Sequence, residues 1–280
     1  MSKPTSLLGA RETRALLQQH GLRPKTRIGQ HFVIDPNTIR KVVDVAGVKP
    51  GDQVLEIGPG LGALSLAILN AGARLIAVEL DRALKPVLDE TLAGRAHLVI
   101  ADAMAVDYKR LLHGRSTKLV ANLPYQVATP LILDLLVGAP AVQSFTVMVQ
   151  KEVGERLAAQ PGDGAYGAVS AKIEFLASAR IAARVSRRVF YPMPDVESVI
   201  VQIERRTRPA EKIARTRLFA VIEAGFSQRR KTIRRALRAA WSAEDVERAL
   251  RKAGVAGEAR AETLGVSDFA AIARALPANR

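Results

Sequence analysis

The sequence predicts an α/β fold with a parallel sheet, followed by a small α-helical domain. The apolar run 54–57 breaks into glycines at Gly58, Gly60 and Gly62 and then resumes with helical spacing, which is typical of a buried strand, a turn and a helix. Three more short apolar runs follow, and each leads into a polar residue. The last quarter of the chain is strongly basic and has helical periodicity, which predicts the second domain.

Composition narrows the possible classes of protein. With 280 residues and 48% hydrophobic content, the chain can bury one sizeable core and a second small one. Neither a membrane-spanning run nor the apolar stretch of a secretory signal is found, so we expect a cytoplasmic protein without a membrane partner. Cysteine is absent and the four histidines lack ligand-like spacing, so we expect no metal. The net charge of +15 favours a polyanionic partner, above all nucleic acid.

The glycine turn is the predicted site of a nucleotide-like ligand. Glycine can adopt a positive φ and lets a ligand approach the backbone closely. Gly58, Gly60 and Ala63 match the looser G-x-G-x-x-G/A form of the dinucleotide fingerprint. For this motif alone, a tight turn that binds no ligand is the alternative interpretation.

Polar residues at the ends of the next three strands strengthen that prediction. Glu79 ends the second apolar run, about twenty residues after the glycines, where doubly wound folds place an acid on the ribose hydroxyls. Asp102 and Asn122 follow the third and fourth runs. Because ligands bind at the carboxyl ends of the strands in open α/β sheets, we expect these side chains to share one site.

The other elements follow from periodicity and from the positions of glycine and proline. Strands are predicted at 54–57, 74–79, 97–100, 118–120, 144–149, 179–185 and 198–203, and helices at 8–19, 37–46, 128–137, 151–160 and 167–175. Thr129 is the expected N-cap of the helix at 128–137, with Pro130 in its first position. The stretch 190–195 contains two prolines and must be extended, because each proline keeps the preceding residue out of the helical region.

A change in charge marks the domain boundary. Residues 205–280 contain 18 Lys or Arg and 8 Asp or Glu, and they carry +10 of the total charge. Helices are predicted here near 211–225, 228–240, 243–253 and 267–276. We therefore divide the chain into a domain at 1–207, with an N-terminal extension at 1–26, and a basic helical domain at 208–280.

The helix predicted at 228–240 is the expected nucleic-acid contact. Six cations lie between positions 229 and 238 with no acid among them, and like charges at this density repel one another. A phosphate partner accounts for this cluster better than a solvated face does. The residues expected to contact RNA are Arg229, Arg230, Lys231, Arg234 and Arg235.

The motif Asn122-Leu123-Pro124-Tyr125 indicates transfer to an aromatic amine. An amine such as adenine N6 is a poor nucleophile because its lone pair is delocalised into the ring. The Asn122 side-chain oxygen and the Leu123 or Pro124 carbonyl would hold the two amine hydrogens and aim the lone pair outward, while Tyr125 stacks on the ring. Positioning and electrostatics would then carry methyl transfer from a sulfonium donor. We assign the catalytic roles to Asn122, Pro124 and Tyr125.

Taken together, these motifs resemble the small-subunit ribosomal RNA adenine dimethyltransferase family over nearly the whole chain. The matching stretches are 27–32 (RIGQHF), 56–62 (EIGPGLG), 78–82 (VELDR), 101–104 (ADAM), 122–125 (NLPY), 150–153 (QKEV), 190–198 (FYPMPDVES), 226–232 (FSQRRKT) and 260–264 (RAETL). Relatives that methylate large-subunit RNA and confer macrolide resistance share the front half, whereas 227–232 and 260–264 look like the small-subunit branch.

The resemblance implies a Rossmann-like class I methyltransferase sheet, with S-adenosylmethionine as the methyl donor. It also implies N6,N6-dimethylation of two adjacent adenosines in the 3′-terminal hairpin loop of 16S ribosomal RNA, on a small-subunit precursor, by a monomer. The family's donor site maps onto His31, Val33, Gly58, Gly60, Glu79, Asp102 and Asn122. The methionine part would lie near His31, Val33 and Gly58, the ribose on Glu79 and the adenine beside Asp102. The family usually has asparagine where this chain has His31, and also where it has Gln126 after Tyr125.

Other functions remain as alternatives. The protein could methylate large-subunit RNA, or it could serve as a ribosome-assembly or other nucleic-acid-binding factor without catalysis. A methyltransferase for small molecules would fit the sheet alone. Such a substrate would have no need of the basic helical domain.

Overall fold

The computed structural model describes residues 6–124, 127–228 and 230–277, apart from the side chain of Ile28. The strands are β1 (Phe32–Val33), β2 (Gln53–Ile57), β3 (Arg74–Glu79), β4 (Ala96–Ile100), β5 (Thr117–Asn122), β6 (Val142–Gln150), β7 (Ala177–Val185), β8 (Phe190–Tyr191) and β9 (Ser198–Arg205). The helices are α1 (Ala10–Gln19), α2 (Pro36–Ala46), α3 (Ala63–Asn70), α4 (Lys85–Leu92), α5 (Tyr108–Leu112), α6 (Ala128–Gly138), α7 (Lys151–Ala158), α8 (Ala168–Leu176), α9 (Arg215–Phe226), α10 (Ile233–Leu237), α11 (Ala243–Ala253) and α12 (Val266–Ala275).

The central sheet has the order β4-β3-β2-β5-β6-β9-β7 among the described strands. Strands β2 to β6 pair in parallel, and β9 runs antiparallel to β6. Pairing between β2 and β5 ends at Leu55 and Leu119, although β2 continues to Ile57 and β5 to Asn122. The strand order also reverses between β2 and β5. This is the topological switch point of the sheet, and its carboxyl edge is therefore the expected place for a ligand.

Strand β2 is buried on both faces. Val54 and Leu55 project to opposite sides of the sheet and are both inaccessible to solvent. Val54 belongs to the same apolar cluster as Ile39 and Val42 of α2. Burial on both faces explains why the parallel strands read as continuous apolar runs in the sequence.

A second, two-stranded sheet joins distant parts of the chain. Strands β1 and β8 are antiparallel, with Phe32 opposite Tyr191 and Val33 opposite Phe190. The Ile34 backbone N–H also donates to the Val189 carbonyl at 2.8 Å. Each strand has only two residues, so periodicity in the sequence could not reveal them.

The predicted α/β class is confirmed, and the predicted strands of the central sheet are all present with ends shifted by up to two residues. Helix α6 differs at its start, because it begins at Ala128 after the N-cap residue Val127 and so makes Pro130 its third residue. The expectation that Thr129 is the N-cap was therefore wrong.

The helix expected at 228–240 is also much shorter than predicted. Arg230 adopts a φ of 73°, and Thr232 forms an antiparallel bridge with Arg260. A positive φ cannot continue a right-handed helix. Only α10, Ile233–Leu237, remains helical in this region.

The chain divides into two compact units. The first consists of the residues up to Gly154 together with Arg180–Arg205, and the second consists of Glu155–Ala179 together with the residues from Arg206 onward. Residues 155–179 were expected in the first domain, but their contacts place them in the second unit. Ala171 and Phe175 of α8 share one apolar core with residues of α9 and α12, such as Leu218 and Phe269.

The described residues contain neither a membrane-spanning helix nor a metal-binding cluster. Among the described residues, no helix combines the length and apolar character needed to cross a bilayer. In the same part of the chain, no three histidine, cysteine, aspartate or glutamate side chains are grouped so that they could hold a metal ion.

Gly154 tests the packing of α7 on the sheet. A Cβ at this position would lie 2.2 Å from Val199 Cγ2 and 3.0 Å from Val201 Cγ2. Alanine favours a helix over glycine by about 1 kcal/mol, but overpacking a core costs about 1–3 kcal/mol. Gly154→Ala should therefore lower the Tm in thermal unfolding. Gly138→Ala is the matched control, because a Cβ there meets nothing within 4 Å. Equal Tm values for the two variants would contradict this account.

Candidate active site

A cavity of about 1030 Å³, including the space at its open mouth, lies at the carboxyl edge of the sheet. Its walls come from the ends of β2, β3, β4 and β5 and from the segment before β1. The lining residues are Thr13, 29–33, 56–61, Ala63, Leu64, 78–80, 101–104, Asn122, Pro124 and Val127. Every described residue predicted for the donor site, together with Pro124, lines this one cavity.

The glycine turn brings the backbone to the cavity surface. Gly58 and Gly60 have φ values of 71° and 60°, which side chains with a Cβ rarely adopt. A Cβ on Gly60 would lie 3.0 Å from the ring of Phe32, and one on Gly58 would lie 3.7 Å from Pro124. The turn therefore packs directly against β1 and against the end of β5.

Glu79 is held rigidly at the end of β3. One carboxylate oxygen accepts from the Gly60 backbone N–H at 3.2 Å, and the other accepts from the Asp81 backbone N–H at 2.8 Å. Burial raises the pKa of Glu79 above its ordinary value, and these backbone hydrogen bonds act in the opposite direction. Each oxygen keeps acceptor capacity for a ligand hydroxyl.

Near the end of β4, the cavity wall combines an exposed carboxylate with exposed apolar side chains. Asp102 is exposed, and one of its oxygens accepts from the Met104 backbone N–H at 2.9 Å. Two large apolar side chains that also line the cavity are unusually exposed, Leu80 by 59% and Met104 by 41%. A flat aromatic ring would cover such side chains, while Asp102 could accept a hydrogen bond from its edge.

Asn122 is oriented by the segment before β1. Its Nδ2 donates to the His31 backbone carbonyl at 3.1 Å, so the amide nitrogen is engaged and the Oδ1 remains an acceptor. The His31 Nδ1–H donates to the Pro192 carbonyl at 2.8 Å, which fixes the histidine beside the proline-rich stretch. The Pro124 carbonyl already accepts from the Val127 backbone N–H at 3.2 Å.

Asp81 clamps the loop that carries His31. Its carboxylate accepts from Lys25 Nζ at 2.8 Å and from Gln30 Nε2 at 3.0 Å, and the Gln30 Oε1 accepts from the Lys25 backbone N–H at 2.9 Å. Although burial opposes ionisation, the Lys25 and Gln30 contacts hold the pKa of Asp81 below its usual range. A single network therefore runs from Glu79 through Asp81 and Gln30 to the residue that orients Asn122.

Glu56 is a fully buried carboxyl group within β2. Its Oε2 accepts from Ser65 Oγ at 2.5 Å. Burial raises the pKa of Glu56 to about 8, and repulsion from Glu79 adds to this increase. In the absence of ligand, Glu56 is therefore mostly uncharged at neutral pH.

The residues predicted to contact RNA have unequal surroundings. Arg234 pairs with Glu247 at 2.9 Å and with Glu258 at 2.5 Å, and its guanidinium group lies against Gly257. The acids that neutralise it come from distant parts of the sequence, so the run of cations did not reveal them. Among the described residues, the exposed side chains of Arg230, Lys231 and Arg235 form no ion pair, whereas Arg229 lies outside those residues.

The sequence analysis missed several residues of this site. Thr13, Gln30 and Glu56 line the cavity, and Asp81 supports it, but none was singled out. A carboxyl group within the otherwise apolar run 54–57 was a usable signal for Glu56. Nothing in the local sequence connects Gln30 with Asp81. The catalytic assignment of Tyr125 stays a prediction, because this residue and Gln126 lie outside the described residues.

The chain is similar to proteins that modify ribosomal RNA. Residues 21–277 match the model of the family described as "Ribosomal RNA adenine dimethylase". The chain is 48% identical to ribosomal RNA small subunit methyltransferase A of Thermobifida fusca, over 99% of this chain and 98% of that protein. It is 47% identical to the protein of the same name from Streptomyces avermitilis, over 96% and 94% of the two chains.

Two solved structures share the fold over most of their length. The 23S rRNA methyltransferase ErmE is 26% identical, with a TM-score of 0.68 over 88% of this chain and 99% of that chain. A dimethyladenosine transferase from Plasmodium falciparum is 22% identical, with a TM-score of 0.70 over 86% and 96%. The sheet and these likenesses define a class I methyltransferase fold of the Rossmann-like type.

Within the class I methyltransferases, one family matches residues 21–277, and relatives match the chain over nearly its full length. The protein belongs to the ribosomal RNA adenine dimethylase family. The methyl donor of this family is S-adenosylmethionine. The cavity fits such a donor, because it combines closely approachable glycines, the fixed acceptor Glu79 and exposed apolar side chains at one sheet edge.

Glu56 should make the stability of the ligand-free protein depend on pH. A carboxyl group whose pKa is raised on folding stabilises the fold fully below its unfolded value, and this contribution is lost as pH rises through the folded value. The window for Glu56 runs from 4.5 to about 8. Glu56→Gln should therefore flatten the decline of Tm across this window. Asp134→Asn, which alters an exposed carboxyl group, is the control. An unchanged Tm profile in Glu56→Gln would refute the assignment.

Asp81→Asn tests the clamp on the loop before β1. Loss of the charge weakens the contacts to Lys25 and Gln30 and loosens the segment that orients Asn122. We expect kcat for methyl transfer to fall roughly tenfold, because a charged hydrogen bond contributes about 1.5–3 kcal/mol, while the donor Kd changes much less. Asp89→Asn, which removes an exposed i,i+4 pair with Lys85, should change neither. A kcat equal to wild type for Asp81→Asn would show that the clamp does not support catalysis.

Proposed function

We propose that this protein transfers methyl groups from S-adenosylmethionine to N6 of two adjacent adenosines in the 3′-terminal hairpin loop of 16S ribosomal RNA. The observation that carries the proposal is the orientation of Asn122, whose Oδ1 remains an acceptor beside the glycine turn. A relative named for the small ribosomal subunit is 48% identical, whereas the 23S enzyme ErmE is 26% identical. These identities favour the small-subunit substrate.

The donor would be held by residues from four strand ends. The methionine part would lie against His31, Val33 and Gly58, all of which line the cavity. Both oxygens of Glu79 are fixed by backbone N–H groups, so the carboxylate can accept from two ribose hydroxyls without losing further conformational freedom. The adenine would lie between exposed apolar side chains, with Asp102 at its edge. Gly60 and Asn122 complete the set of donor contacts.

Two acceptors would hold the target amine. Asn122 Oδ1 is one of them, because its amide nitrogen is engaged by His31. We place the second on the Leu123 carbonyl, since the Pro124 carbonyl already accepts from Val127. Pro124 would then act by fixing the backbone of the motif, and Tyr125 would stack on the adenine.

The reaction needs little from the protein beyond positioning. When bound, S-adenosylmethionine supplies a methyl group that is made electrophilic by a positively charged sulfur. The two acceptors localise the lone pair on N6 and aim it along the line of attack. They also stabilise the positive charge that develops on the amine, which is the electrostatic contribution expected of fixed carbonyl dipoles.

The second unit would contribute binding to the RNA backbone. Of the predicted contacts, Arg230, Lys231 and Arg235 are exposed and form no ion pair within the described residues. Arg229 stays in the predicted set, whereas Arg234 is assigned to packing against Glu247 and Glu258. We further propose that the protein acts as a cytoplasmic monomer, because the described residues of a single chain include the whole set expected to hold the donor.

The direct test is transfer of labelled methyl groups to unmethylated small ribosomal subunits, with large-subunit RNA as the parallel substrate. We expect dimethyladenosine in the small-subunit RNA alone, identified by the mass of the modified nucleoside. Product in large-subunit RNA would overturn the assignment of the substrate. Donor binding without transfer to either RNA would overturn the catalytic function.

Asn122→Ala and Glu79→Ala should have different effects, the first mainly on methyl transfer and the second mainly on donor binding. Asn122→Ala removes an acceptor for the target amine and should lower kcat by at least about 100-fold, a typical cost for losing an electrostatic contact to the transition state. Its donor Kd should change much less than that of Glu79→Ala, because Asn122 is only one of several donor contacts. Glu79→Ala should instead weaken donor binding first, measured by titration calorimetry. Asn37→Ala and Glu204→Ala change exposed residues of the same types and are the controls. Intact donor affinity in Glu79→Ala would remove the ribose assignment.

A further inference from the structure

We infer that Arg180, Arg184 and Arg188 form a second RNA-binding surface, on the edge of the methyltransferase sheet. We call these three residues the edge arginines. The inference rests on the proposed function, and it adds a contact for the phosphate backbone that the sequence analysis did not predict.

The charge of this segment is unbalanced. The stretch from Arg180 to Arg188 has the sequence RIAARVSRR, with four arginines and no acid. All four arginines are exposed. The exposed arginines give this segment a run of positive charge that can attract an extended anion such as a phosphate backbone.

The surrounding structure does not neutralise the edge arginines. Arg180 donates to the neutral side chain of Gln202, and none of the three forms an ion pair within the described residues. Two acids of β9 and of the segment before it have other hydrogen-bond partners, because Glu204 accepts from Gln202 at 3.1 Å and Glu197 accepts from the Arg187 backbone N–H at 3.0 Å. This contrasts with Arg234, which has two carboxylate partners.

The fold gives these arginines a common direction. Strand β7 is the last strand in the sheet order, so it forms an edge. Arg180 and Arg184 are four residues apart on β7 and project from the same face, because side chains alternate along a strand. At about 3.3 Å per residue they are roughly 13 Å apart, a distance that a nucleic-acid backbone spans in a few nucleotides.

Arg188 extends this row toward the cavity. It precedes Val189, whose carbonyl accepts from Ile34, and β8, which pairs with β1. Strand β1 directly follows His31, which lines the cavity. The edge arginines therefore form a row that begins near the cavity and continues along the sheet edge, as expected for a strand of RNA that enters the site.

The alternative explanation is that these exposed charges protect the edge strand from edge-to-edge aggregation and have no role in RNA binding. That role requires charge but no alignment with the cavity, and it predicts no effect on RNA affinity. The position of Arg188 beside the β1–β8 pair favours RNA, and this difference can be measured.

The experiment compares two triple variants of the full-length protein. The first is Arg180→Gln, Arg184→Gln and Arg188→Gln. The matched control is Arg74→Gln, Arg110→Gln and Arg115→Gln, which removes the same charge from exposed positions at the start of β3, within α5 and just before β5. Arg187 is left unchanged, because its side chain donates to the Asp195 carbonyl.

The readout is the Kd for unmethylated small ribosomal subunits at several salt concentrations, with the donor Kd measured in parallel. Each lost phosphate contact reduces the slope of log K against log salt by about 0.7–0.9. We expect the edge variant to show a slope shallower by about 2–3 and a roughly ten- to hundredfold weaker Kd, with donor binding unchanged. The control should show a much smaller change.

Equal changes in both variants, or no change in either, would overturn the inference. Aggregation of the edge variant with unaltered RNA affinity in its monomeric fraction would also overturn it and would support the protective role. Measuring RNA binding and methyl transfer by the wild-type protein distinguishes a failure of this inference from a failure of the proposed function. If it binds small subunits but transfers no methyl groups, the proposed function fails, whereas the salt slopes still decide the inference.

Discussion

The early end of pairing between β2 and β5 creates the space in which the site is built. Beyond Leu55 and Leu119 the ladder stops, yet both strands continue toward the carboxyl edge. The glycine turn follows one strand and Asn122 ends the other, so the residues proposed to hold the donor and the target amine line one cavity at this gap. The parallel strands β3 and β4 add Glu79 and Asp102 at the same edge. Most of the candidate site therefore depends on one local feature of the sheet topology.

The segment before β1 connects the two ends of that site. Asp81, whose backbone N–H binds Glu79, holds Gln30 through its side chain, and the neighbouring His31 carbonyl orients Asn122. Because each of these contacts restricts the next, Glu79 and Asn122, which we propose hold the donor and the target amine, are positioned by one network. Such preorganisation suits a reaction in which positioning contributes most of the rate enhancement.

The positive charge of the chain is used in two different ways. Arg234 and Arg238 are paired with acids from α11 or from the loop after it, so they stabilise the second unit. Other arginines and lysines are exposed and form no ion pair in the described part of the chain, including the edge arginines and Lys231. The net charge of +15 is therefore larger than the charge of any single binding surface. The cations that form no ion pair are the ones available to a partner.

The sequence alone determined the fold class, the glycine turn and the polar ends of β3, β4 and β5, because strand periodicity and turn chemistry are local properties. The same reasoning could not find the short β1–β8 pair, the clamp at Asp81 or the partners of Arg234. Each of these joins residues distant in the chain, and Gln30 and Asp81 have no local pattern that connects them. Only the tertiary structure decided which cations are neutralised and how Asn122 is oriented, because both depend on contacts that form when distant segments pack together.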